Sequence, residues 1–333
     1  MTTVDHPIAA GERAGPATRD RRWRPDRAGA PIVLALVLLG GTLLFGDSFA
    51  SAQNFGNIAL DSSYLLLIAT GMTFVILSGG IDLSVGSLLA LAGVLTAYGA
   101  HWGTGVAVAL PLLVCAVFGL VNGLLIGRAR IAPFIVTLAA LLFARGLAFA
   151  VASEGNTVRI IPADLLLTRF GQARWLGLHA PVWVALIAFG LGVVLLNRTR
   201  FGQAVFAIGD SQEASELMGL PVARVRIVVY VLSATLTGVA GVLIAAQTSS
   251  GLPTIGEGRE LEAIAAVVIG GTLLSGGSGS LSGTLAGVLL LKVIQNLINQ
   301  VGTLSAYYQQ VVSGTFLIAV VLVQSRLARR RRR

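Results

Sequence analysis

The stretch NRTRFGQAVFAIGDSQEASELMGLPVARVR, Asn197 to Arg226, is a polar island between two long apolar runs. Within it, Asp210-Ser211-Gln212-Glu213 has the form of a capping box, in which Asp210 accepts from the backbone of the first turn and Glu213 reaches back. Gly219 supplies a left-handed stop and Pro221 prevents continuation. A helix is therefore predicted from Ser211 to Met218, roughly 12 Å long at 1.5 Å per residue, too short to cross a bilayer. Flanked by Arg198, Arg200, Arg224 and Arg226, it lies where a cytoplasmic partner could grip a membrane protein. The other reading is a solvated loop that joins two spans, and periodicity alone does not separate the two.

Working outward, 55% of the residues are hydrophobic and 12% charged, with a mean hydropathy of +0.83. Such runs could not stay in water, so an all-α polytopic membrane protein is expected. Residues 1–30 are Arg-rich but interleaved with Asp5, Glu12, Asp20 and Asp26, and no small-residue cleavage pattern follows the first apolar run. They read as a cytoplasmic tail, not a signal peptide. Cys115 is the single cysteine, which excludes an intrachain disulfide and a cysteine metal site. The net charge of +9 does not point to nucleic acid, because Arg329 to Arg333 cluster directly after a span, where anionic lipid headgroups are the expected partner.

Ten apolar segments can be placed: Pro31–Gly46, Ile58–Ser78, Ser87–Ala100, Gly105–Gly127, Ile131–Ala152, Val182–Leu196, Ile227–Ala246, Leu261–Leu274, Leu281–Asn299 and Tyr307–Gln324. Several are shorter than the roughly 20 residues of a full span. With both termini cytoplasmic, 18 of the 24 basic residues fall inside and only Arg159, Arg169, Arg174 and Arg259 outside. The expected organisation is a tail (1–30), a membrane domain (31–325) with an inside loop at 198–226 and an outside loop at 153–181, and an Arg-rich tail (326–333).

Two glycine-rich stretches, 79–86 and 270–280, break the spans, and each is followed by Leu-Ala-Gly-Val-Leu, at 91–95 and 285–289. Paired broken helices point to a substrate path between two halves. Asp82 in the first break either caps a third segment from about Leu83, with Ser84 helping, or binds substrate or ion. Lys292, Gln295, Asn296 and Asn299 share one helical face, which either lines a hydrated path or buries hydrogen bonds between helices or protomers. His101 and His179 have no companions at metal-ligand spacing, and no metal site is expected. No G-x-x-x-x-G-K-[ST], G-x-S-x-G, H-E-x-x-H or C-x-x-C sequence occurs, so catalysis by this chain is not expected.

The run Gly71 to Ser87, GMTFVILSGGIDLSVGS, resembles the signature of ribose-type permeases, the membrane subunits of bacterial ABC importers for monosaccharides. The similarity continues through APFIVTL at 132–138, Arg145 to Ala148, Thr199 to Gln203, Ala207 to Gly209, Glu213, Ala214 and Gly219, and LEAIAAVVIGGT at 261–272. It departs at Leu273, Ser278 and Ser313, where the family more often has Ser, a basic residue and Lys.

The resemblance implies a bacterial inner-membrane pore of two protomers, expected as a homodimer. It also implies two cytoplasmic ABC ATPase domains carrying ATP and Mg, and a periplasmic or lipid-anchored sugar-binding protein. No cofactor is expected on this chain. The family pattern assigns Gly209, Glu213, Ala214 and Gly219 to ATPase coupling. Thr73, Gly79, Gly80, Asp82, Ser84, Phe134, Thr137, Gly276, Gly277, Lys292 and Asn296 go to the path or gate, and Arg159, Arg169, Arg174 and Arg259 to contact with the binding protein. A branched-chain amino-acid ABC permease shares the architecture, although Gly80-Ile81-Asp82-Leu83-Ser84 favours sugars. An ion-coupled secondary transporter would instead lean on Asp82, Arg145 and Lys292, and a membrane enzyme lacks its chemistry.

Overall fold

The computed structural model describes residues 29–152 and 159–300, together with residues 308, 311, 314, 315 and 318. These residues are helical almost throughout. In order, the helices are α1 (Gly29–Phe45), α2 (Asp47–Ala50), α3 (Ala52–Leu77), α4 (Val85–Gly99), α5 (Thr104–Gly127), α6 (Pro133–Val151), α7 (Leu166–Gln172), α8 (Ala180–Arg198), α9 (Arg200–Asp210), α10 (Gln212–Leu217), α11 (Val222–Thr248), α12 (Arg259–Ile269) and α13 (Leu281–Gln300). Four two-residue strands, β1 (Arg159–Ile160), β2 (Arg174–Trp175), β3 (Leu178–His179) and β4 (Ser250–Gly251), form two small antiparallel pairs, β1 with β4 and β2 with β3.

Nine of the ten apolar segments coincide with α1, α3, α4, α5, α6, α8, α11, α12 and α13. The tenth, Tyr307–Gln324, and both tails lie almost wholly outside the described residues. Among the described residues, seven helices are long and apolar enough to span a membrane, namely α3, α4 with the turn after it, α5, α6, α8, α11 and α13. α1 and the 11-residue α12 are shorter.

The layering follows from where small residues sit. α3 and α4 are enclosed, and α11 packs against both and against α5. Lipid tails are as apolar as leucine, so helices associate through close backbone approach. Gly119, Gly123 and Gly127 supply it on α5. A methyl group on any of the three would run into the α11 backbone at Tyr230–Val231, Ile227 and Ala223 respectively. Gly71 of α3 meets Ser233 of α11 in the same way, and Gly241 of α11 meets Leu89 of α4. The outer helices turn bare hydrocarbon outward: Leu113 and Val117 on α5, Leu142 and Phe143 on α6, Ile187 and Leu191 on α8.

The polar island differs from its prediction in two ways. Residues 200–210 form a helix of their own, α9, capped by Thr199, whose hydroxyl accepts from the Gly202 N–H at 3.2 Å. The short helix that follows is capped by Ser211, which accepts from Ala214 at 3.2 Å, and not by Asp210. Ala204, Val205 and Ile208 bury one face of α9, and this draws Asp210 into its last turn and hands the cap to the next hydroxyl. Gly219 adopts φ +76° as expected of a left-handed stop.

Candidate functional site: two helix breaks joined to the α9–α10 arm

Both glycine-rich breaks meet at one place. α3 ends at Leu77, and the Leu77 carbonyl accepts from the Gly277 N–H of the second break at 3.0 Å. Gly209, near the end of α9, lies against both, and a Cβ there would overlap the Leu77 carbonyl. A Cβ on Gly276 would sit 3.0 Å from the Gly209 carbonyl and the Gly79 nitrogen. Gly79, Gly276 and Gly277 hold φ of +81°, +88° and +70°, values that side chains resist. The sequence had assigned Gly209 to coupling and the other three glycines to the path; the structure brings all four together.

Above this junction, Asp82 is buried between α3, α4 and α11. Its Oδ1 accepts from the Ser84 N–H at 3.0 Å and the Ser84 hydroxyl at 2.6 Å, and its Oδ2 from the Ser233 hydroxyl at 3.1 Å. Asn122 of α5 donates to Ser84 at 3.3 Å, and Thr137 of α6 to the Ile81 carbonyl at 3.3 Å. The carboxylate therefore ties the turn ahead of α4 to α11, and α4 starts at Val85, two residues beyond the predicted Leu83. Gly80 fits under the Tyr230 hydroxyl, and Thr73 shares a hydrogen bond with Thr284 of α13 at 2.8 Å. Phe134, on α6, is exposed instead.

The α9–α10 arm projects from the junction. Glu213 and Ala214 are exposed. Gln212 is held by Arg226 at 2.8 Å, and Glu216 by Gln212 at 2.9 Å and Arg130 at 3.5 Å. At the tip, Leu217 is 90% and Met218 68% exposed, on a charged arm where nothing requires apolar side chains unless something covers them.

Residues 54–321 match the family described as branched-chain amino acid transport system / permease component. The chain belongs to this family. It is 39% identical over 310 residues to the ribose import permease protein RbsC of Escherichia coli K12, covering 92% of this chain and 95% of the relative. RbsC of Bacillus subtilis 168 is 39% identical over 295 residues, covering 88% and 91%. The L-arabinose transport system permease protein AraH of Escherichia coli K12 is 38% identical over 310 residues, covering 91% and 90%. No solved structure matches.

The polar face of the permease's α13 is spent on neighbouring helices. Lys292 donates to Glu262 of α12 at 3.2 Å and to Gln295 at 2.8 Å, and Gln295 donates to the other Glu262 oxygen at 3.0 Å. Asn296 donates to Asn54 of α3 at 2.8 Å. Arg259 pairs with Glu262 at 2.8 Å, so it stands in this network and apart from the other three arginines assigned to the outside.

Those three lie on the opposite end of the permease from the α9–α10 arm. The β1–β4 pair joins the segment before α7 to the end of α11. There Arg159 lies over the Tyr98 ring at 5.1 Å, Arg169 is exposed on α7, and Arg174 donates to Gln53 at 3.3 Å. Among the described residues no group of three His, Cys, Asp or Glu side chains could hold a metal.

Sequence reasoning missed Ser233, Tyr230, Leu217 and Met218, and it passed over the carboxylates at 257, 260 and 262. The signal for the last was present: Glu257, Arg259 and Glu260 stand immediately ahead of the apolar run Leu261–Thr272, and Glu262 lies at its start.

Proposed function

We propose that this permease is the membrane-spanning subunit of an ABC importer for a monosaccharide: a ribose-like pentose, a hexose or a related polyol. Two copies form the pore in the bacterial inner membrane, with both termini cytoplasmic. ATP is hydrolysed with Mg on two separate ATPase domains, and a periplasmic or lipid-anchored binding protein delivers the sugar. The similarity to permeases named for ribose and arabinose supports the substrate class over branched-chain amino acids.

The observation that carries the mechanism is the contact of Gly209 with both helix breaks. Closure of the ATPases pushes on α10 through Glu213, Ala214 and the apolar tip. α9 passes the movement to Gly79, Gly276 and Gly277, whose unusual backbone allows the breaks to bend while the long helices stay rigid. Alternating access thus needs no chemistry on this chain, and Arg159, Arg169 and Arg174 at the far end offer positive charge to acidic lobes of the binding protein.

The test is co-purification of the tagged permease with the ATPase encoded beside it, wild type against Glu213→Arg, followed by ATP hydrolysis in lipid with the binding protein added. Association and sugar-dependent stimulation, both lost in the variant, are expected. Sugar transport in vesicles without any ATPase would replace this reading with an ion-coupled carrier.

A further inference from the structure

A second cluster of ionisable groups lies away from the coupling route. After β4 the chain turns back along α4. Gly251 packs against Gly93 and Val94, and Gly256 against Gly86 near the start of the same helix, a descent of about 10 Å at 1.5 Å per residue. The turn into α12 therefore sits about 20 Å from the Gly99 end of α4, well inside a hydrocarbon core of about 30 Å. Arg145 reaches the same level from α6, donating from Nε to the Ser87 hydroxyl at 3.1 Å and pairing with Glu257 at 3.3 Å.

Charges at this depth cannot face lipid, and by default they mark a function. Glu262 and Lys292 satisfy one another and are accounted for as a structural pair. Glu257 and Glu260 are not. The Glu257 side chain is 62% exposed although it is paired with Arg145. The Glu260 oxygen Oε2 lies against Gly86, buried and without a hydrogen-bond partner.

We propose that Arg145, held in place by Ser87, forms with Glu257 and Glu260 a hydroxyl-binding station that holds the sugar part-way along the path and contributes to its selection. The proposal rests on the importer reading above. The donor set fits an uncharged polyol: a carboxylate accepts from one hydroxyl, a guanidinium with five N–H donors gives to its neighbour, and the buried Ser87 fixes that guanidinium by accepting from Nε. A neutral sugar adds no charge to a site whose carboxylates are already opposed by Arg145. A free amino acid would bring an ammonium and a carboxylate needing separate partners. Binding here is weak and exchangeable, as a path requires, because the open Glu257 offers contacts without enclosing the ligand.

The experiment uses the complete transporter in proteoliposomes with its ATPase, binding protein and ATP. Uptake of labelled D-ribose, L-arabinose, D-xylose and D-glucose is measured, and the delivered sugar is compared with its deoxy analogues. In Glu257→Gln and Glu260→Gln the maximal uptake rate is expected to fall five- to ten-fold at unchanged melting temperature. The preference for the parent sugar over one deoxy analogue should shrink, and ATP hydrolysis stimulated by loaded binding protein should stay within two-fold. Unchanged uptake, or an equal loss for every sugar with a lowered melting temperature, overturns the station and leaves the importer intact. Wild-type permease that moves no sugar with ATP and binding protein overturns the importer reading, and the station with it.

Discussion

The Gly277 N–H donates to the Leu77 carbonyl at 3.0 Å, so the second helix break closes the open end of the first helix to be broken. A helix leaves its last carbonyls without partners, and here one is satisfied from 200 residues further along the chain. Gly209 fits against the pair only because it has no side chain. Gly209→Ala is therefore expected to lower sugar-stimulated ATP hydrolysis and uptake about ten-fold, equivalent to about 1.4 kcal/mol. Gly190→Ala, at a position with nothing within 4 Å, should match wild type. Parallel assays in lipid decide it, and wild-type coupling in Gly209→Ala would remove the junction from the mechanism.

The Glu262–Lys292 pair makes a sharper energetic prediction. Lys292 is 5% exposed, and Glu262→Gln leaves this buried charge unopposed at a cost of about 3–5 kcal/mol, whereas after Lys292→Met the carboxylate keeps Arg259 at 2.8 Å. Glu262→Gln should lower the melting temperature in detergent markedly, and Lys292→Met less. The double variant should recover much of the loss, because replacing both charges removes the desolvation penalty along with the attraction. Additive losses would show that Arg259 and Gln295, not the pair, carry the local stability.

How much of this was legible depends on what each residue had to satisfy. Long spans could be read because a helix in hydrocarbon needs an unbroken apolar run, and nine segments matched helices within a few residues. The α9 helix was hidden because it is 11 residues long and its apolar positions, Phe201, Ala204, Val205, Phe206 and Ile208, sit in a segment flanked by arginines that reads as a loop. The cap moved from Asp210 to Ser211 because both residues can cap, and tertiary burial chose between them. Arg259 and its neighbouring glutamates read as an outer loop because charge usually means water. Only the packing of Gly256 on Gly86 reveals that the chain has re-entered the bundle.

Helix association supplies a paired test. Gly123 of α5 touches the Ile227 backbone, whereas Gly146 of α6 has nothing within 4 Å. Gly123→Leu should destabilise the bundle by 2 kcal/mol or more, on the order of an overpacked core site, and Gly146→Leu should be nearly neutral. Thermal unfolding of the two purified variants separates close backbone packing from any general intolerance of bulk at glycine.

The outer hairpin carries a pH dependence. Burial first, and the charge of Arg174 second, hold His179 below the usual imidazole range, and its Nδ1 is buried without a partner. The unfolded segment therefore binds the proton more readily, so local stability falls as pH drops through about 6.5 and below. Relative to the intrinsic exchange rate at each pH, amide protection over residues 174–179 should fall between neutral pH and pH 5 in wild type. In His179→Gln protection should lose that dependence, and an equal fall in the variant would assign the effect elsewhere.

The exposed tip of α10 gives the most direct test of docking. Leu217 and Met218 are large apolar side chains turned outward beside Glu213 and Glu216, and within this chain they pack on nothing that would justify their exposure. Burying one such side chain against an ATPase groove is worth about 1.5–3 kcal/mol. Leu217→Asp should therefore weaken association with the ATPase at least about ten-fold, through faster dissociation, while the permease itself melts at the wild-type temperature. Glu213→Ala, which removes a rim charge, should mainly change the association rate and its salt dependence. Surface plasmon resonance on the detergent-purified permease distinguishes these outcomes, and wild-type dissociation from Leu217→Asp would mean that the ATPase grips the arm elsewhere.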